Sequence, residues 1–375
     1  MPGLLPNIDP DGLLEYSVVY TDRSLNHMSQ LFQNVMNEVS TSLKEVYNAE
    51  AVVLVPGGGT YAMEAVARQF ATDQSCLVLR NGWFSFRWSQ IFEMGNIPSQ
   101  EMVLKASRVS GDSQAPFAPP DINEVVDLIK DKKPAMVFAP HVETSSGIIL
   151  PDNYIKSVAD AIHSVGGMFV LDCIASGAIW VDMQDCGVDV LISAPQKGWS
   201  ASPAFGMVML SSDAADKINE TKSTSFSCDL LKWLQIMQAY ENGGHAYHAT
   251  MPTDAIKHFR DTVNDTAEFG FENARKKQQE LGDKVRALLQ RYNINSVAAK
   301  GFHAPGVVVS YTTDKEIQNG SKFKDIGMQI AAGVRLQCDE GGDYQTFRLG
   351  LFGLDKLKDV DAAVKKLENA LNQVT

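Results

Sequence analysis

Two residues in this chain are placed for a chemistry that neither could perform alone. Phe169-Val170-Leu171-Asp172 is an apolar run that ends in a carboxylate. A second run, Val190-Leu191-Ile192, leads to Gln196-Lys197-Gly198 and then to a third, Met207 to Leu210. Such short apolar runs bounded by small residues read as buried strands. A lysine at the end of a core strand must be desolvated or paired. A desolvated amine has a lowered pKa and readily forms a Schiff base with an aldehyde. A carboxylate at the preceding strand end can keep a pyridinium nitrogen charged while the amine holds an aldehyde carbon, the pairing that pyridoxal 5'-phosphate needs. Taken alone, Lys197 reads equally well as an ordinary strand-end lysine in a structural ion pair. Asp172 and Lys197 together point to the cofactor.

Other elements carry candidate residues to the same place. Ala51 to Val55 is a buried strand, and Pro56-Gly57-Gly58-Gly59-Thr60 turns it into a helix, Tyr61 to Ala71. Backbone N–H groups and the helix dipole at such a turn can hold phosphate. The spacing is not GxxxxGK[ST], which disfavours a nucleotide P-loop. Leu77 to Leu79 is the next strand and leads to Asn81-Gly82-Trp83-Phe84-Ser85-Phe86-Arg87-Trp88. Trp88 reads as core, whereas Phe84 could stack on a flat cofactor. Ala135 to Ala139 runs into Pro140-His141-Val142-Glu143-Thr144-Ser145-Ser146-Gly147. His141 and Glu143 lack an evident third metal ligand. A hydroxyl-rich binding loop is the better reading, with Thr144 or Ser145 facing the ligand. Gly58 to Thr60, Phe84, Thr144, Asp172 and Lys197 all fall at predicted strand ends, where open α/β sheets build their sites.

Strands alternating with helical patterns predict an α/β fold, a mainly parallel sheet covered by helices on both faces. Residues 1–20 read as an extended arm, available to lie across a partner subunit; 21–269 read as the large domain and 270–375 as a smaller α+β domain. Helices are expected from about Arg23 to Val46, Asp121 to Lys130, Ile155 to Val165, Leu230 to Tyr240, Thr253 to Leu289, Phe323 to Ile330 and Lys356 to Leu371. Residues 106–120 and 242–252 read as loops. Gly306 to Tyr311 and Thr346 to Gly353 read as strands of the small domain. Arg348, inside the second, needs an anion: an internal carboxylate, or a substrate carboxylate gripped by two parallel N–H bonds.

The composition sets limits. At 375 residues, with 45% apolar and 21% charged residues, the chain suits a large domain plus a smaller one. A net charge of −12 without a dense basic block argues against nucleic acid. No apolar run approaches the ~20 residues of a membrane span, and the first residues lack the features of a secretory signal. The five cysteines (Cys76, Cys173, Cys186, Cys228, Cys338) are scattered, with no CxxC pair, and read as reduced thiols. A cytoplasmic protein is expected.

Taken in order, PGGGTYAME, NGWFSFR, HVETSSG, LDCIAS, APQKG, YHAT and FRLGLFG resemble the class V aminotransferases, pyridoxal-phosphate enzymes of fold type I, from about residue 50 to 355. The nearest likeness is to the alanine–glyoxylate and serine–glyoxylate branch. The resemblance implies that Lys197 carries the Schiff base and shuttles a proton, and that Asp172 pairs with the ring nitrogen. It places Phe84 on the ring, with Ile174 packing against it and Thr144 at the phenolic oxygen. Gly58, Gly59, Thr60 and Gln196 would cup the phosphate, joined by Tyr247 and Thr250 from the other subunit of a homodimer. Arg348 would hold the substrate carboxylate. Gly58 stands where family members often have Ser, Thr60 where they have His, and Phe84 where close relatives have Trp.

The implied activity is ping-pong transfer of an amino group from a small amino acid or 2-aminoethylphosphonate to glyoxylate or pyruvate. A lyase releasing ammonia, or a cysteine desulfurase using Cys338, are alternatives on the same fold. A thiol beside Asp339, Glu340 and Asp343 should be a poor thiolate, which argues against the desulfurase. A cofactor-binding protein without turnover is a further alternative that no appended segment supports.

Overall fold

Segments of four to six residues with apolar centres become the strands of one central sheet: β1 (Ala51–Pro56), β2 (Ser75–Arg80), β3 (Gln100–Lys105), β4 (Met136–Pro140), β5 (Met168–Asp172), β6 (Val190–Ser193) and β7 (Phe205–Leu210). In the computed structural model, which describes residues 5–375, they lie in the order β1-β7-β6-β5-β4-β2-β3. All neighbours are parallel except β7, which runs antiparallel to both β1 and β6. The middle residues of β1, β2, β4, β5, β6 and β7 are buried almost throughout. That is why they read as continuous apolar runs and not as alternation: both faces of the sheet are covered.

The helices that cover it are α1 (Gln30–Tyr47), α2 (Gly59–Val66), α3 (Trp83–Gly95), α4 (Ile122–Lys132), α5 (Asp152–His163), α6 (Leu230–Glu241), α7 (Thr253–Phe269), α8 (Phe271–Arg291) and α9 (Val360–Val374). α1 shows how the sequence forms them. Ser29 Oγ accepts the Phe32 N–H at 3.1 Å as N-cap, and Phe32, Val35, Met36, Val39, Leu43 and Tyr47 make its buried stripe.

Several expected helices differ in extent. The one expected over Lys356 to Leu371 is split into Leu354–Leu357 and α9, which Asp359 caps. The one expected over Tyr61 to Ala71 leaves α geometry after Val66. The first helix begins at Gln30 and not near Arg23, because Asn26 turns the chain and Ser29 takes the capping role. The run from Thr253 to Leu289 is two helices. Gly270, at φ 89° and ψ 121°, adopts a backbone conformation that no α-helix continues. The helix expected over Phe323 to Ile330 is a short turn, Ser321–Asp325, ended before Gly327 at φ 78°. The aromatic stretch after β2 is the start of α3, and residues 106–120 include a two-residue ladder pairing Ser107–Arg108 with Phe117–Ala118.

The C-terminal portion carries an antiparallel sheet of β8 (Val307–Tyr311), β9 (Ala331–Ala332) and β10 (Thr346–Gly350), with β10 in the centre. β10 stops at Gly350, three residues short of the expectation. Val309 pairs with Arg348, which sets that side chain on one face of the strand with Thr346. Phe347 and Leu349, on the opposite face, enter the main core.

Candidate active site

The site is built where the carboxyl ends of the parallel strands meet the turn after β1. Gly57 and Gly58 leave β1 at φ 119° and 138°, a region that side-chain-bearing residues rarely adopt, so serine at Gly58 would be strained. A Cβ on Gly59 would lie 2.6 Å from Ile174 Cδ1, which shows how closely this turn sits against the chain just beyond β5. Tyr61 and Ala62 N–H groups donate to the Gly58 carbonyl, while no hydrogen bond among the described residues takes up the N–H of Gly58, Gly59 or Thr60. Three free donors at the positive end of α2 are a ready anion site.

Asp172 ends β5 and pairs in register with Pro140 of β4 and Ile192 of β6. Its side chain is 7% exposed, and its one hydrogen bond comes from the Ile174 N–H at 2.9 Å. Burial pushes its carboxyl up to about 7, and the Ile174 N–H pulls the other way. No cation forms an ion pair with it among the described residues. Lys197 lies in the turn four residues past β6, not at the strand end itself. Its Nζ is 5.5 Å from the centroid of the Phe352 ring and has no hydrogen-bond acceptor among the described residues. Burial, then the charge of Arg348, lowers the lysine's pKa. Beside it, Gln196 Oε1 is buried without a partner.

Glu143 is 0% exposed and belongs to no group of three or more His, Cys, Asp or Glu among the described residues that could hold a metal ion. Its carboxylate accepts the N–H groups of Phe84 (3.2 Å), Ser85 (2.9 Å) and Ser145 (3.1 Å), and lies 2.8 Å from Ser85 Oγ and 2.7 Å from Ser145 Oγ. Ser145 Oγ in turn accepts the Trp83 N–H at 2.8 Å. A buried anion from the segment after β4, the strand beside β2, thus caps α3, complements its dipole and fixes Phe84. Ser145 is consumed in this cap, which leaves half-buried Thr144 as the free hydroxyl of the loop. His141, also buried, meets Ser176 Oγ at 2.7 Å through Nδ1, and burial drives its pKa down to about 3, so it stays neutral.

Arg348 projects from β10 with its guanidinium carbon 5.8 Å from the Phe84 ring centroid. Its Nε donates to the Ala332 carbonyl at 2.7 Å, and its terminal nitrogens have no partner among the described residues. Among the described residues, the internal salt bridge that its sequence context allows is not formed. Tyr247 and Thr250 lie elsewhere: their hydroxyls are 3.1 Å apart, and the Tyr247 ring packs 5.6 Å from His27. Tyr247 is 55% exposed, and no hydrogen bond joins either residue to the Gly58–Thr60 turn of the same chain. Cys338 is buried, with Sγ donating to the Arg80 carbonyl, and burial followed by Glu143 and Glu340 pushes its thiol up to about 12. Such a thiol is no nucleophile.

Two contributors escaped sequence reasoning. Glu143 carries no capping signal in the sequence, because it lies 58 residues from Ser85, whose N–H it accepts. Arg87 is the second. Its Nη1 donates to Thr60 Oγ1 at 2.9 Å and its guanidinium carbon lies 5.3 Å from the Phe84 centroid. Reading the aromatic stretch as a helix would have placed Arg87 one turn from Phe84, on the same face.

The profile of the family described as aminotransferase class-V matches residues 13–319. The chain is 23% identical over 359 residues to an alanine–glyoxylate aminotransferase of Rattus norvegicus, covering 93% of this chain and 82% of that one. It is 25% identical over 323 residues to a 2-aminoethylphosphonate–pyruvate transaminase of Lysinibacillus sphaericus, covering 84% and 82%. Its fold is similar to that of an alanine–glyoxylate aminotransferase from Nostoc sp., with a TM-score of 0.77 at 21% identity over 92% of this chain and 89% of that one.

Proposed function

The chain belongs to the class-V aminotransferases, pyridoxal-phosphate-dependent transaminases of fold type I, and we propose that it transfers an amino group from a small amino acid or aminophosphonate to glyoxylate or pyruvate in two half-reactions. The observation that carries this reading is a pair of unmatched charges. Among the described residues, a buried carboxylate without a cation, Asp172, and a half-buried amine without an acceptor, Lys197, share the carboxyl edge of the sheet with three free N–H groups. Pyridoxal phosphate supplies what each lacks: a ring nitrogen, an aldehyde and a phosphate.

When bound, the cofactor supplies an electron-accepting ring that makes an α-proton removable. Asp172 would face the ring nitrogen, and contact with a cation there would draw its carboxyl back below its present value near 7. Phe84 and Ile174 would pack on the ring and Thr144 would bond its phenolic oxygen. The Gly58–Thr60 donors and Gln196 would take the phosphate, with Tyr247 and Thr250 reaching in from a second copy of the chain in a homodimer. Lys197 has a lowered pKa, so a larger share of it is neutral at a given pH and can take a proton from the substrate α-carbon and return it elsewhere. Arg348 offers two unpaired terminal nitrogens to a substrate carboxylate. The buried, acid-flanked Cys338 supports transamination over desulfuration. A cytoplasmic location is part of the same proposal.

The test is a single-turnover screen of cofactor-loaded protein against alanine, serine, glutamate, aspartate, 2-aminoethylphosphonate and other ω-amines, with Lys197→Ala as control. One equivalent of carbonyl product per site, with no ammonia, supports transamination and identifies the donor. Continuous ammonia release from a donor alone replaces this reading with a lyase.

A further inference from the structure

The Gly58–Thr60 turn offers N–H dipoles but no charged side chain, whereas the phosphate it would hold carries up to two negative charges. Gln196 is neutral, and Lys197 is turned toward Phe352. One cation reaches the turn: Arg87, whose Nη1 donates to Thr60 Oγ1 at 2.9 Å. No carboxylate among the described residues forms an ion pair with Arg87, so its charge stays available. It is also fixed in direction, because its guanidinium lies over the Phe84 ring at 5.3 Å, while Arg348 lies 5.8 Å from the same ring. Phe84 therefore contacts two guanidinium groups, one tied to the turn after β1 and one to β10. The Arg87 charge is felt as far as Asp172, whose carboxyl it draws downward.

Resting on the functional reading above, we propose that Arg87 is the cationic anchor of the phosphate cup, held in place by Thr60 and separate from the carboxylate-binding Arg348. A hydroxyl at residue 60 then serves as the acceptor that aims a guanidinium from α3, and the cup obtains its positive charge from a different element. Charge-assisted bonds to phosphate are the strong class of hydrogen bond, and a planar guanidinium can give two in parallel.

The test compares pyridoxal phosphate with pyridoxal, which lacks only the phosphate. Binding to cofactor-stripped protein is followed by visible absorbance and tryptophan quenching, without any substrate. Arg87→Gln is expected to weaken pyridoxal phosphate roughly 10- to 100-fold and leave pyridoxal unchanged, and Arg87→Lys to recover part of the loss. Unchanged affinity for pyridoxal phosphate in Arg87→Gln, or equal losses for both ligands, overturns the proposal. If circular dichroism shows that Arg87→Gln does not fold, Thr60→Val decides the matter. It should reduce the preference for the phosphorylated ligand several-fold, and an intact preference overturns the anchor. If wild-type protein binds neither ligand in a Lys197-dependent way, the cofactor reading itself fails; if wild type binds and only the Arg87 prediction misses, that reading survives.

Discussion

Replacing Glu143 by Gln removes one charge and keeps the shape, so it isolates what the buried carboxylate does for α3. The Oε1 atom accepts the Phe84 and Ser145 N–H groups and the Oε2 atom accepts that of Ser85. A glutamine does best by keeping its oxygen at the first position, which points its NH2 at the Ser85 N–H. One buried backbone donor is then left without an acceptor, at a cost of about 1–3 kcal/mol. Loss of the anion at the positive end of α3 adds about 0.3–1 kcal/mol, and the two together come to about 1–4 kcal/mol. For 375 residues at about 2.1 cal/mol/K each, that lowers the melting temperature by roughly 2–5 °C. Thermal melts followed by circular dichroism, on cofactor-stripped protein, are the assay. Glu143→Ala, which leaves every donor unpaired, should fall further, and Ser85→Ala should lose less than either. A Glu143→Gln melt within a degree of wild type would refute the idea that this carboxylate holds α3, and with it the account of how Phe84 is positioned.

Three other expectations follow from the site. Asp172 is raised from 3.8 to about 7 in the folded protein, so the folded state holds a proton that the unfolded state has lost. The stripped protein should therefore lose stability as pH rises from about 4 to about 7, by at most about 4 kcal/mol, and melts of Asp172→Asn should lack that component. Arg348→Met should raise KM for carboxylate substrates by roughly 10- to 100-fold and let the Lys197 pKa climb, seen as an upward shift in the pH at which the stripped protein reacts with an amine reagent. An unmoved midpoint would show that the two cations do not sense each other. Tyr247→Phe removes a hydroxyl that, within one chain, bonds only to Thr250. It should weaken cofactor retention with no change in melting of the stripped protein, and unaltered retention would exclude a contact across subunits.

Much of the framework was legible because it is written locally. β1, β2, β4 and β5 are runs of five or six residues that can be read without neighbours, and a glycine turn between strand and helix has its own signature. Asp172 at the end of β5 and Lys197 beyond β6 needed only strand ends to be noticed. Helix limits were less legible, because Gly270 and Ser29 each set a boundary through backbone geometry that periodicity ignores.

The sequence by itself determined the strand segments, the glycine turn and the residues able to do the chemistry, since these depend on side-chain type and short spacing. Only the tertiary structure decided the strand order, with antiparallel β7 between β1 and β6, and the partners that tune each group. Glu143 meets Ser85 from 58 residues away, Arg87 meets Thr60 from 27, and Cys338 is sealed against Arg80 from 258. No local pattern carries such pairings. They arise when packing removes water from the carboxyl edge of the sheet, so that each buried polar group must find its partner among whatever the fold has brought near.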